Sequence, residues 1–260
     1  MLLTPVVMMV MLTAQADCPA EICAKPSPCC AASCEMDKAG EITIVAFGDS
    51  TTAPRGPLKV YAGLIETDLR KKGIPARVIN AGVGGNTTAM ARKRFAKDVL
   101  ARNPRLAIIS FGINDSAVDV WKDATTPRVS IEDYASNLRY FVEQLRKNGS
   151  EVVFFTPNPL AWTPKLKDLY GKPPYDPDTN AGFNRLLDRY AETMRNVAKE
   201  TDTPLVDLRK AFEKRAAETG IDELLLDGMH PNDTAHRLIA DRLLERIVPL
   251  LKKGNCPREQ

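Results

Sequence analysis

Histidine, paired cysteine, long apolar runs and an excess of either charge are all scarce in this chain, and each shortage narrows what it can do. Two histidines occur in 260 residues, His230 and His236, so any chemistry that needs an imidazole draws on one of two positions. No C-x-x-C pair exists and neither histidine lies near a cysteine, which removes the usual zinc arrangements. Lys and Arg number 36 against 33 Asp and Glu, a net +3 spread along the length, so no basic patch points to nucleic acid. Beyond the first dozen residues no apolar run is long enough to cross a bilayer, no segment repeats, and no linker divides the chain. What remains is 44% hydrophobic and 27% charged, an ordinary globular composition with enough length for one sizeable core.

The ends differ from the middle. Leu2 to Leu12 is apolar apart from Thr4, and Ala14-Gln15-Ala16 follows with the small-x-small pattern of a cleavage site. Residues 1–16 therefore read as a signal peptide without Lys or Arg, and the protein as secreted or periplasmic, with no membrane in the mature form. Residues 17–40 hold Cys18, Cys23, Cys29, Cys30 and Cys34 in an irregular, Pro- and Ala-rich tail, and Cys256 lies in a carboxyl-terminal tail, 253–260. An exported chain favours disulfides, but six cysteines leave the pairing open. The folded domain is expected over 41–252.

Within that domain, short apolar runs alternate with amphipathic stretches. Strands are expected at 42–47, 76–80, 106–111, 152–156 and 204–206. Helices are expected after Pro57, through Met90 to Leu100, from Ser130 to Lys147, over 180–200, from Asp207 to about Ala217, and from about Asp233. Residues 156–179 read as a long Pro-, Lys- and Tyr-rich connection that shapes a substrate surface. Strands separated by crossover helices make an α/β fold: a parallel sheet of about five strands covered on both faces.

The chemistry gathers at the ends of these strands. Ile42-Thr43-Ile44-Val45-Ala46-Phe47 breaks off at Gly48-Asp49-Ser50, a turn that leaves a serine at the carboxyl end of a buried strand. A serine hydroxyl needs a base, an orienter for that base, and donors for the oxyanion. His230, in a loop three residues after Asp227, fits the first two roles, whereas His236 sits inside the last helix as a solvated or packed residue. The backbone N–H groups of Ser50 and Gly85 and the Asn114 side-chain amide fit the third. Against this, Gly84-Gly85 read alone is a turn and Asn114-Asp115 a helix cap. Turns of these kinds at strand ends one, two and three, with Asp and His at the last junction, are what the bland readings leave unexplained. Gly82-x-Gly84 also suggests a dinucleotide-binding turn, but Thr87 stands where the third glycine belongs.

In order, Gly48-Asp49-Ser50, Gly85 within AGVGGNT, Gly112-x-Asn114-Asp115 and Asp227-x-x-His230 resemble the four blocks of the GDSL family of the SGNH hydrolase superfamily. The resemblance spans Glu41 to about Leu251. The first block has threonine where the family name has leucine, as related carbohydrate esterases often do. The resemblance implies a flavodoxin-like three-layer α/β/α sandwich and ester hydrolysis with no metal or organic cofactor. The expected substrate is a small-molecule or polysaccharide ester carrying a short acyl group such as acetyl. Trp162, Tyr170 and Tyr175 are candidate sugar-stacking residues, and Arg55 is a candidate contact for an acidic sugar. A lysophospholipase or thioesterase and a non-catalytic binding module are the rival readings. A monomer is the favoured oligomeric state.

Overall fold

The computed structural model describes residues 40–253. The expected signal peptide, the Cys-rich segment and all six cysteines lie outside the described residues, so the disulfide expectation does too.

Five parallel strands form one sheet: β1 (Ile42–Gly48), β2 (Ala76–Gly82), β3 (Leu106–Ser110), β4 (Glu151–Phe155) and β5 (Leu205–Val206). Their spatial order is β2-β1-β3-β4-β5. The chain leaves β1 toward one edge, returns, and then builds toward the other. The gap between the carboxyl ends of β1 and β3 is therefore the switch point of a doubly wound sheet, where open α/β folds place their sites.

The helices are α1 (Tyr61–Lys71), α2 (Thr88–Asp98), α3 (Ile113–Ser116), α4 (Ile131–Lys147), α5 (Pro164–Tyr170), α6 (Asn180–Glu200), α7 (Leu208–Thr219) and α8 (Asp233–Lys253). The near-continuous apolar strands split by parity, as a sheet buried on both faces requires. Ile44, Ala46, Leu106, Ile108, Val153 and Phe155 pack against α1, α7 and α8. Val45, Phe47, Ala107, Ile109, Val152 and Phe154 pack against α2, α4 and α6, where Phe47 meets Phe95, Phe111 and Phe141 at 5.2–5.5 Å between ring centroids. The expected three-layer α/β/α sandwich is the observed one.

The 156–179 connection departs from expectation, because it contains α5. Thr163 Oγ1 accepts the Leu166 N–H and Pro164 occupies the first turn, an N-cap followed by a proline whose missing donor costs nothing there. That Thr-Pro signal was present in a stretch otherwise read as loop. A third apolar cluster lies at this end of the sheet, joining Ile113, Val118, Leu160, Leu166, Tyr175, Phe183 and Leu187.

Candidate active site

Gly48 pairs with Gly82 on one side and Ser110 on the other. A Cβ on Gly48 would lie 2.2 Å from Thr52 Oγ1 and 2.9 Å from the Ser110 carbonyl, and one on Gly82 would lie 2.3 Å from the Ala53 nitrogen. Only glycine lets the chain double back so tightly over the sheet edge. The Asp49 carbonyl accepts the N–H groups of Thr52 and Ala53 at 3.2 and 3.0 Å, and the Asp49 carboxylate accepts the Thr51 N–H and hydroxyl at 2.9 and 2.8 Å. Asp49 thus builds the turn from inside. Burial pushes its carboxyl up, while the two Thr51 bonds, His230 and the Asn114 amide act the other way. Ser50 is left partly exposed at the crest.

The loop that faces it comes from the far end of the chain. Leu225 and Pro231 form an antiparallel bridge, and the Leu226 N–H donates to the His230 carbonyl at 2.8 Å, so Asp227 to His230 forms a tight excursion ahead of α8. Gly228, at φ +83°, approaches so closely that a Cβ would lie 2.4 Å from the Ala161 carbonyl oxygen. The Ala161 N–H donates to the Gly228 carbonyl and the Asn158 amide to the Met229 carbonyl, tying the loop to the segment after β4. Asp227 Oδ1 accepts the N–H groups of Met229 and His230 at 3.1 and 3.0 Å, which aims the carboxylate at the ring. His230 Nδ1 lies 2.9 and 2.8 Å from the two carboxylate oxygens, and Nε2 lies 3.0 Å from Ser50 Oγ. Partial burial opposes ionisation of Asp227, but the bonds from the His230 backbone and ring and from the Met229 N–H outweigh it and hold the carboxyl below its usual range. An ionised carboxylate only accepts, so Nδ1 carries the ring proton and Nε2 is free to accept from Ser50.

The donors expected for an oxyanion converge on the same edge. Ser50 N–H and Gly85 N–H donate to nothing among the described residues. Gly85 has φ +73°, and a Cβ on its neighbour Gly84 would lie 4.0 Å from Ser50 Cβ. Asn114, at the start of α3 beyond β3, has a buried Nδ2 that makes no hydrogen bond of ordinary length, its electrostatic partner being the Asp49 carboxylate. Buried polar atoms are nearly always satisfied, so an amide held this loosely at the sheet edge keeps donor capacity in reserve.

The remaining sequence candidates fall differently. His236 is packed at 2% exposure, stacked on Tyr61, and burial depresses it to about 4. Arg55 is partly exposed and forms no ion pair among the described residues; its charge helps depress His236. The aromatic residues are not an open platform. Trp162 stacks on Phe183 at 3.8 Å and its Nε1 donates to the carbonyls of Asp176 and Thr179. Tyr175 is buried with its hydroxyl accepting the Val118 N–H, and Tyr170 packs edge-on to it. Tyr170 and Tyr175 do line a cavity of about 50 Å³, with Ile113, Asn114, Leu160 and Met229. Trp121, in the short turn Val120–Lys122, is the exposed tryptophan at 46%.

Sequence reasoning missed two arginines. Arg94 on α2 donates to the Gly48 carbonyl, the Ala81 carbonyl and Asn86 Oδ1, stitching the ends of β1 and β2 to the turn that holds Gly85. Arg128 donates to Asn114 Oδ1 at 3.1 Å. These contacts reach carbonyls and amides 8 to 46 positions away, which no local pattern reveals, while Arg94 also pairs with Asp98 and Arg128 with Asp119. Among the described residues no group of three His, Cys, Asp or Glu side chains is placed to hold a metal ion, and no helix is long and apolar enough to cross a membrane.

The fold and its relatives define a carboxylic ester hydrolase. The chain belongs to the GDSL-like lipase/acylhydrolase family, whose sequence model matches residues 46–238. It is similar to the uncharacterized lipoprotein YqeF of Bacillus subtilis (strain 168), at 32% identity over 70% of this chain and 77% of that protein. An acetylxylan esterase of Geobacillus stearothermophilus is 26% identical over 74% of this chain and 80% of its own length. Among solved structures, a lipase/acylhydrolase from Enterococcus faecalis is 26% identical, with a TM-score of 0.62 over 84% of this chain and all of that one.

Proposed function

We propose that this protein removes short O-acyl groups, acetyl above all, from carbohydrate, with Ser50 as nucleophile, His230 as base and Asp227 as its orienter. The observation that carries the reading is the unbroken line of contacts from Asp227 through the imidazole to Ser50 Oγ, at 2.8 and 3.0 Å. As Ser50 Oγ attacks the ester carbonyl carbon, its proton passes to His230 Nε2. Charge moves to the carbonyl oxygen, where Ser50 N–H, Gly85 N–H and Asn114 Nδ2 donate. The tetrahedral adduct collapses, the alcohol leaves with the proton from the imidazolium, and a water activated by the same imidazole frees the acid.

Two observations support a small acyl group on a sugar. The cavity beside Asn114 is small, about 50 Å³, which favours a short acyl group over a long one. A relative across most of the chain is named an acetylxylan esterase. Trp121, on the segment leading from Asn114 to Arg128, is 46% exposed with Lys122 Nζ 4.1 Å from its ring centroid, and is the aromatic residue best placed to meet a sugar ring. The leader-like segment at 1–16, together with a relative named a lipoprotein, supports a place outside the cytoplasm.

The test is a chain-length series. Hydrolysis of p-nitrophenyl acetate should exceed that of the butyrate and octanoate, and acetic acid should be released from acetylated xylo-oligosaccharides. A rate that rises with chain length would replace this reading with a lysophospholipase or thioesterase.

A further inference from the structure

We infer that Arg128 is a positioning residue that fixes which end of the Asn114 amide faces the developing oxyanion. This rests on the oxyanion role proposed above for Asn114.

An asparagine amide is nearly symmetric in shape, so packing alone does not choose between its two orientations. The choice decides the chemistry, because Nδ2 donates to an oxyanion and Oδ1 repels it. α3 has only four residues and fixes the Asn114 backbone rather than its side-chain torsion. A guanidinium has donors and no acceptor, so its only favourable partner on the amide is Oδ1. Arg128 Nη1 donates to Asn114 Oδ1 at 3.1 Å, while the buried Nδ2 makes no bond of ordinary length and interacts with the Asp49 carboxylate, which favours the same orientation without closing a full hydrogen bond.

The guanidinium is itself held. Arg128 Nε donates to both Asp119 oxygens at 3.2 and 3.1 Å, and Nη2 donates to Oδ1 at 2.6 Å, the fork geometry that fixes an arginine plane. These bonds from Arg128 are the largest cause holding the Asp119 carboxyl below its usual range. The backbone around it is tied to the same short helix: the Arg128 N–H donates to the Ala117 carbonyl and the Val129 N–H to the Asp115 carbonyl, at 3.0 and 3.2 Å. Tyr175 braces the loop by accepting the Val118 N–H at 2.8 Å. Asp119, Arg128 and Asn114 thus form a relay of orientation that ends at the amide.

The experiment compares Arg128→Ala, Arg128→Lys, Asn114→Ala and the Asn114→Ala/Arg128→Ala double variant on p-nitrophenyl acetate. Asn114→Ala should lower kcat by about 10²–10³. Arg128→Ala should lower kcat by about tenfold or more with KM within threefold, and Arg128→Lys, which keeps a donor, should recover part of it. The double variant should be no slower than Asn114→Ala, since an absent amide has no orientation to lose. Additive losses would mark Arg128 as merely structural, and a raised KM at unchanged kcat would mark it as a substrate contact; either overturns the inference. If Asn114→Ala is slow while Arg128→Ala and Arg128→Lys are both undiminished, the inference fails alone. An undiminished Asn114→Ala would overturn the oxyanion reading beneath it.

Discussion

Asp227 carries three duties through one oxygen: Oδ1 accepts two backbone N–H groups and shares the His230 ring proton. The backbone bonds aim the carboxylate and the ring bond selects the tautomer. Asp227→Asn keeps the shape but offers an N–H to the ring, so kcat should fall by roughly 10²–10⁴ with little change in KM, measured on p-nitrophenyl acetate. At this scale the sequence was informative where residues close together in the chain do the work. Gly48-Asp49-Ser50 and Asp227-x-x-His230 are local devices, and their spacing is visible. His236 was separable from His230 because a helix interior of alternating charge and leucine buries or solvates a side chain rather than presenting it. The setting of the aromatic residues is not legible for the converse reason. Trp162 and Tyr175 look like loop residues until α5 folds the connection into a small core of its own, and exposure then passes to Trp121. If Trp121 is the sugar face, Trp121→Ala should raise KM several-fold on acetylated xylan while leaving p-nitrophenyl acetate hydrolysis unchanged.

Between elements, a few polar side chains join helices to strand ends. Arg94 spans β1, β2 and the Gly85 turn from α2, with 16% of its side chain exposed. Arg94→Met should cost about 1–3 kcal/mol in urea unfolding, because carbonyls at the sheet edge lose a charged donor. It should also lower kcat in protein that remains folded, since Asn86 beside Gly85 loses its tether. Asp115 on α3 accepts the Thr88 N–H and hydroxyl at the start of α2, at 2.8 and 2.5 Å, yet burial raises it to about 6. His236 on α8 is displaced the other way, to about 4. The signs oppose. His236 gives stability that is present above its unfolded value of about 6.5 and lost as pH falls toward 4, whereas Asp115 gives stability that is present below about 3.8 and lost as pH rises through 6. Removing one exposes the other. His236→Gln, compared with the parent by urea unfolding at pH 7 and pH 4.5, should lose less stability on acidification by about 2–3 kcal/mol. An unchanged pH slope would contradict the burial argument.

Over the whole molecule, the proposed site exists because the first βα turn and the last loop before α8 meet across 180 positions. The existence and parallel arrangement of the strands followed from apolar runs separated by amphipathic ones. The order β2-β1-β3-β4-β5 did not, because lateral order depends on which side each crossover leaves, and periodicity carries no such information. Once the order is known, the switch point between β1 and β3 accounts for Ser50 and Asn114 sharing an edge. The expected signal peptide and the cysteines lie outside the described residues, and nothing in the fold bears on them.

Activation of Ser50 by a residue so far along the chain is the central claim, and an alkyl fluorophosphonate probe followed by mass mapping tests it most directly. The account predicts one adduct, on Ser50, formed by the folded protein, and abolished or greatly slowed by His230→Ala and by unfolding in urea. An adduct on another serine, or equal labelling of Ser50 in the folded parent, the His230→Ala variant and the unfolded chain, would contradict it.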